Sequence, residues 1–119
     1  QQQGQSLASP YNLPYYLRSA ELMRRLRAAY PKPTAPEAAL LPNLLYNEAC
    51  ALALTGQTDL ALSSLGAAID AGFTHVEMLD NDADLDPLRR FPAFSGLQQR
   101  AERRRVAALL TRSPSALTR

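Results

Sequence analysis

The chain has 119 residues, 46% of them apolar and 20% charged, which suits one folded domain with a modest core and excludes a disordered chain. No apolar run approaches the ~20 residues of a membrane-spanning helix, because "AALLPNLLY" is interrupted by Pro42 and Asn43. The lone Cys50 excludes an internal disulfide and a zinc site made of cysteines alone.

The formal charge of +2 conceals a strong pattern. Residues 1–32 carry five basic groups and one acidic group, and residues 89–119 carry eight and one. Between Pro33 and Leu88 there are nine acids and no lysine or arginine. The blocks therefore run +4, −9 and +7, and attraction between the arginine-rich ends and the acidic middle is expected to favour the compact fold. The opening "QQQGQS" suits a processed secreted terminus and points to a periplasmic or secreted location, while "TRSPSALTR" resembles a linker. The expected organisation is an N-terminal extension over 1–13, a helical domain over 14–112 and a tail or linker over 113–119, cut from a longer protein.

In chain order, "PYYLRSAELMRRLRAAY" predicts an amphipathic helix from Pro14 to Tyr30. Ser19, Leu22, Met23, Leu26 and Tyr30 share one face, and Arg18, Glu21, Arg24, Arg25 and Arg27 point elsewhere. "PKPTAP" ends this helix, and "EAALL" predicts a turn of helix before Pro42 begins another. That next helix, "PNLLYNEACALALTG", closes on Gly56 as a left-handed cap. "TDLALSSLGAAIDAG" follows, with Thr58 as N-cap and Gly72 as terminator, and so short a connection makes the two helices antiparallel. Gly66, inside the second of them, predicts a close backbone approach. "THVE" at 74–77 predicts a capping box opening a short helix through Leu79. Asp84 or Asp86 then caps a further short helix that starts at Pro87 and carries Arg89 and Arg90 at its negative end. "FPAF" opens the last helix with Pro92 in its first turn. No segment alternates as a strand would. The expected fold is all-α, an antiparallel helical hairpin array of about five helices.

From Pro42 to about His75 the chain resembles one tetratricopeptide repeat, a helical hairpin of 34 residues. The family's signature positions fall on Leu45, Ala49, Leu52, Gly56, Ala61, Leu65, Ala68 and Ile69. Two positions depart from the pattern: Leu52 replaces the usual aromatic, and Phe73 stands where a proline commonly ends the repeat. Helix 14–30 is similar to the second helix of an earlier, degenerate repeat. "GFTHVEMLDNDADLDPLRRFPAFSGL" is similar to the short-helix tail that closes the last repeat in many bacterial proteins of this type.

The resemblance implies a partner groove lined by the first hairpin helix, here Asn43, Tyr46, Asn47, Cys50, Ala53 and Leu54. Asn47 matches a position where some members hold a peptide backbone or carboxylate by its amide. Those members also use basic groove residues, and 33–88 has none, so a carboxylate clamp confined to this pair is not expected. The expected function is protein or peptide contact without catalysis. The alternative is an accessory helical domain of a longer, secreted enzyme whose adjoining domain is the partner.

Other chemistries are weakly supported. His75, the single histidine, lacks the G-x-S-x-G elbow and the paired-histidine spacing of hydrolases and zinc proteins. The five glycines are scattered, so no phosphate loop or cofactor site is expected. Cys50 sits far in sequence from any basic residue, which is the setting of a buried, unreactive thiol. In "QQRAERRR" the consecutive Arg103, Arg104 and Arg105 fan around the helix instead of lining a groove, and nucleic acid is not expected.

"DNDADLDPLRR", from Asp80 to Arg90, superficially matches a calcium loop at Asp80, Asp82 and Asp84. An EF-hand needs glycine at loop position 6 and a bidentate acid at position 12. Here those positions are Leu85 and Phe91, so the acids are helix punctuation. Millimolar calcium is accordingly expected to leave the melting temperature unchanged; a saturable rise in a calcium titration would overturn that reading.

Overall fold

The computed structural model describes residues 13–29, 32 and 34–112, without the side chains of residues 13, 16, 19, 20, 23 and 112. These residues form helices α1 (Leu13–Ala29), α2 (Ala35–Leu54), α3 (Thr58–Asp70), α4 (Val76–Asn81) and α5 (Pro92–Arg112). A 3₁₀ segment, Ala83–Leu88, lies between α4 and α5. Among the described residues there is no strand. The fold is all-helical.

The α2–α3 hairpin is the centre. Ala49, Ala61 and Ala68 are fully buried and let the helices approach, and Leu45, Leu52, Leu65 and Ile69 fill the space between and around them. Both helices end in the same hydrogen-bond pattern. Gly56 has φ +79°, with Gln57 N donating to Leu52 O at 2.9 Å and Gly56 N to Ala53 O at 3.2 Å. Gly72 has φ +118°, with Phe73 N donating to Ala68 O at 2.9 Å and Gly72 N to Ile69 O at 3.0 Å. Each is a Schellman motif, which needs a residue free to take positive φ. Because the first motif delivers Gln57 straight into α3, Gln57 and not Thr58 is the N-cap residue, and no side chain caps it.

The expected break at Pro42 does not occur. α2 begins at Ala35, seven residues earlier, and runs through Pro42. Its start is a capping box at Thr34: the hydroxyl accepts from Glu37 N, and the Glu37 carboxylate accepts from Thr34 N at 2.8 Å. An interior proline costs a helix about 3 kcal/mol. Here the box on one side and the buried run from Leu45 to Ala53 on the other hold the helix across it. Among the described residues α2 and α3 form a single helical hairpin, without tandem repetition.

α1 packs on α2, and two residues of its expected apolar face are left uncovered. Leu22 and Leu26 are exposed, whereas Arg24 and Arg27 reach inward to Glu48. Ser19, Met23 and Tyr30 of the expected face lie outside the described side chains. Glu48 is only 2% exposed, and its carboxylate accepts from Arg24 Nη1 and, at 3.5 Å, from Arg27 Nη2. A carboxylate taken out of water needs paired donors, and α1 supplies them.

α5 covers α3 and α4. Phe94 and Ala101 are buried, and Leu97 packs against the core. The close neighbours of Gly66 are side chains of α5, not a second backbone. A β-carbon there would lie 3.0 Å from Arg100 Nη2 and 3.5 Å from Leu97 Cδ2, and Arg100 Nη2 donates to Gly66 O. Pairing between the basic end and the acidic middle is also present. Arg100 meets Asp70 at 3.4 Å, Arg105 meets Glu77 at 3.0 Å, and Arg104 donates to the Asp70 carbonyl at the end of α3.

Replacing Arg24 and Arg27 together with alanine is expected to strand the Glu48 carboxylate and cost about 3–5 kcal/mol in urea unfolding. A loss below about 1 kcal/mol would show that water already hydrates Glu48.

Candidate functional site

The acidic segment after α3 settles onto α2 through a small set of polar contacts. The N-cap of α4 is His75, without a side-chain bond, so the Thr74–Glu77 box does not form. The Glu77 carboxylate instead accepts from Arg105 Nη1 at 3.0 Å. Neither Asp84 nor Asp86 is the cap of the next segment. Asp82 is: its Oδ1 accepts from Asp84 N at 3.0 Å, and Pro87 falls inside the 3₁₀ turn. Arg89 then clamps the segment. Its Nε pairs with Asp86 at 2.8 Å, its Nη1 donates to Leu79 O at 2.9 Å and its Nη2 to Asp82 O at 2.8 Å. The same guanidinium lies 5.2 Å from the centroid of the Phe94 ring. The acids thus serve as helix punctuation, with Asp82 in the leading role.

This segment meets the face of α2 on which a partner groove was expected. Asn43 is exposed, and Asn47 and Leu54 are half-buried. Tyr46, Cys50 and Ala53 are buried, at 3%, 1% and 3% exposure. The Phe73 ring stacks on Tyr46 with centroids 4.4 Å apart, and the Tyr46 hydroxyl donates to Asp82 Oδ2 at 2.5 Å. Ligand atoms of Cys50, Asp82 and Asp84 lie within 4.8 Å of one another. The structure therefore brings Tyr46 and Cys50 together with two carboxylates, and leaves Asn43 and Asn47 at the surface.

Sulfur and two carboxylate oxygens form a set that could face a cation, but the fold already uses it. Both oxygens of Asp82 accept internal hydrogen bonds, one from Tyr46 and one from the Asp84 amide. Burial, then the negative charges of Asp82 and Asp84, push the Cys50 thiol well above its ordinary range, against a smaller opposing effect of a hydrogen bond with Tyr46. Burial also raises the Tyr46 hydroxyl, with Cys50 and Asp82 adding to it. Both groups are held protonated at neutral pH. Among the described residues no hydrogen bond links Cys50 to His75, which is exposed and edge-on to Phe73 at 5.2 Å. The arrangement is a joint between α2 and the acidic segment, with no activated nucleophile.

A second surface lies at the far end of α5. Val106, Leu109 and Leu110 are 44%, 52% and 39% exposed, beyond the last buried residue of that helix, Ala101. On the adjoining side, Arg104, Ala107, Ala108 and Thr111 line a shallow depression. The neighbouring arginines dominate this stretch of sequence, but Val106, Leu109 and Leu110 stand at the i, i+3, i+4 spacing that marks a helix face.

Raised thiol and phenol values have a sign that can be checked. Between the unfolded and folded pKa values the native chain binds more protons than the unfolded chain, so stability falls as pH rises. Loss is expected to begin near pH ~8.5 from Cys50, at about 1.4 kcal/mol per pH unit, and to steepen near pH ~10 as Tyr46 joins. Cys50→Ala should remove the first step in alkaline urea titrations; an unchanged first step in that variant would show that Cys50 is not its source. No protein-family model matches the chain, and no curated protein or solved structure matches it either.

Proposed function

We propose that this chain is a non-catalytic, tetratricopeptide-like helical module that works by contact with another protein. The observation that carries the reading is the cluster of Val106, Leu109 and Leu110, three large apolar side chains left in water on one stretch of an otherwise charged helix. Single exposed leucines are ordinary on any surface, but three on one helical face beyond the core mark a place where a second surface can be buried. The polar chemistry favours the same reading. Cys50 and Tyr46 are sealed under the acidic segment, and the face on which the repeat resemblance places a groove is largely occupied by the chain itself. Asn43 and Asn47 remain on that face as polar contacts at its edge.

Site-specific photocrosslinking in the natural host tests this. A benzophenone side chain in place of Leu109 is expected to give a discrete adduct with one protein, and one in place of Leu60, exposed on α3, is not. Equal labelling from both positions, or none from Leu109, would overturn the proposal. An adduct with an adjoining domain of the same chain would favour the accessory-domain alternative.

A further inference from the structure

Among the described side chains, the apolar core is assembled from α2, α3, α4, the 3₁₀ segment and α5, and α1 contributes nothing to it. Leu22 and Leu26 of α1 are exposed, whereas Arg24 and Arg27 reach Glu48. α1 ends at Ala29 and α2 starts at Ala35, and Pro31 and Pro33 between them cannot carry one helix into the other. We infer that α1 is a strap. It opens as a unit from a body, α2 to α5, that stays folded, and the strip of α2 that it uncovers takes another arginine-bearing helix in its place.

Glu48 is the acidic anchor of that strip. Ala51, three residues later and so on the same side of α2, is fully buried yet lies outside the core cluster. A small side chain beside the carboxylate lets a second helix approach closely, and the carboxylate is then within reach of guanidinium groups on it. The matching ligand is a helix with arginines at i and i+3, the spacing at which α1 carries Arg24 and Arg27.

Closure is reversible for electrostatic reasons. Two guanidiniums converge on one carboxylate, so the joint holds more positive charge than Glu48 can match. Burial, and then the charge of Arg24, hold the Arg27 guanidinium below its ordinary range, as crowding of like charges would. Both arginines keep part of their surface in water, and among the described residues no hydrogen bond reaches the buried Arg27 Nε. Opening hydrates all three charges and makes the missing bond to water, which offsets part of its cost. An element outside the core then opens with less free energy than global unfolding needs.

Native-state hydrogen exchange of the full chain is the first test. The amides from Leu22 to Leu26 are expected to exchange together, at least about tenfold faster than those from Ala49 to Leu52 and from Leu65 to Ala68. A fluorescein-labelled peptide of residues 13–32 then probes the strip by anisotropy. In the wild-type chain it competes with the tethered α1, whose effective concentration is high. It is expected to bind the Arg24→Ala/Arg27→Ala chain at least about tenfold more tightly than the wild type. A peptide carrying the same two substitutions should lose that gain, and Glu48→Gln in the substituted chain should abolish the difference between the two peptides. The inference is overturned if α1 exchanges no faster than the core, if the peptide binds neither chain or both equally, or if its advantage survives Glu48→Gln. Loss of the cooperative thermal melt in the Arg24→Ala/Arg27→Ala chain would overturn it as well, because the body must stand without α1.

Discussion

Two and a half turns of α2 are buried apart from Asn47, and that burial organises the rest of the molecule. Every residue from Leu45 to Ala53 is buried except Asn47. Such a stretch has little solvent face, so its neighbours must satisfy the buried polar groups on it. There are two demanding ones. The Glu48 carboxylate requires cations and takes Arg24 and Arg27 from α1. The Tyr46 hydroxyl requires an acceptor and takes Asp82 from the segment beyond α3. Two polar side chains, two residues apart and so pointing to different sides, determine what packs on either flank of the same helix.

That arrangement explains the charge pattern of the sequence. Five of the arginines are engaged by acids of the chain, Arg24 and Arg27 by Glu48 at one end and Arg89, Arg100 and Arg105 by Asp86, Asp70 and Glu77 at the other. Most of these pairs are exposed and worth only ~0–1 kcal/mol each, so they orient elements more than they stabilise them. Glu48 is different, because its desolvated charge makes the docking of α1 conditional on both arginines. Arg89 is different in another way. It donates to two backbone carbonyls and one carboxylate, and so closes α4, the 3₁₀ turn and the start of α5 with one side chain.

The features legible in the sequence were those with a local cause. Gly56 and Gly72 end helices because they can take positive φ, Pro92 starts one, and the alanines at 49, 61 and 68 fall where two helices must approach. Features with a distant cause were not legible in this way. Pro42 is a helix breaker by local rules, but the residues after it are buried on all sides and the Thr34 box starts the helix before it. The signal for that box, "TAPE", was present and fits the capping pattern, yet the surrounding prolines read as a boundary. In α1 the leucines read as inward and the arginines as outward. Glu48, a lone acid in an apolar run, reverses this for Arg24 and Arg27, and nothing within α1 itself announces it. The expected groove had the same fate. Tyr46 and Cys50 were placed on one face of α2, but Phe73 and Asp82, which cover them, come from 27 and 36 residues after Tyr46.

With α2 enclosed, surfaces open to a partner must lie on the outer helices. On α1 the exposed leucines share the surface with Arg25, which is tied to Glu21. On α5 the situation is sharper, because the helix continues past the body it packs on. Up to Ala101 each turn has a core-facing residue; among the described side chains none after Arg105 is buried. Eleven residues of helix beyond Ala101 held only by Arg104 and Arg105 would gain little from intrinsic propensity, since an isolated stretch of that length is marginal in water. A surface laid along Val106, Leu109 and Leu110 would supply the tertiary contact that the earlier turns already have. The same helix that locks the acidic segment by its first half is thereby left, in its second half, with an apolar face in water.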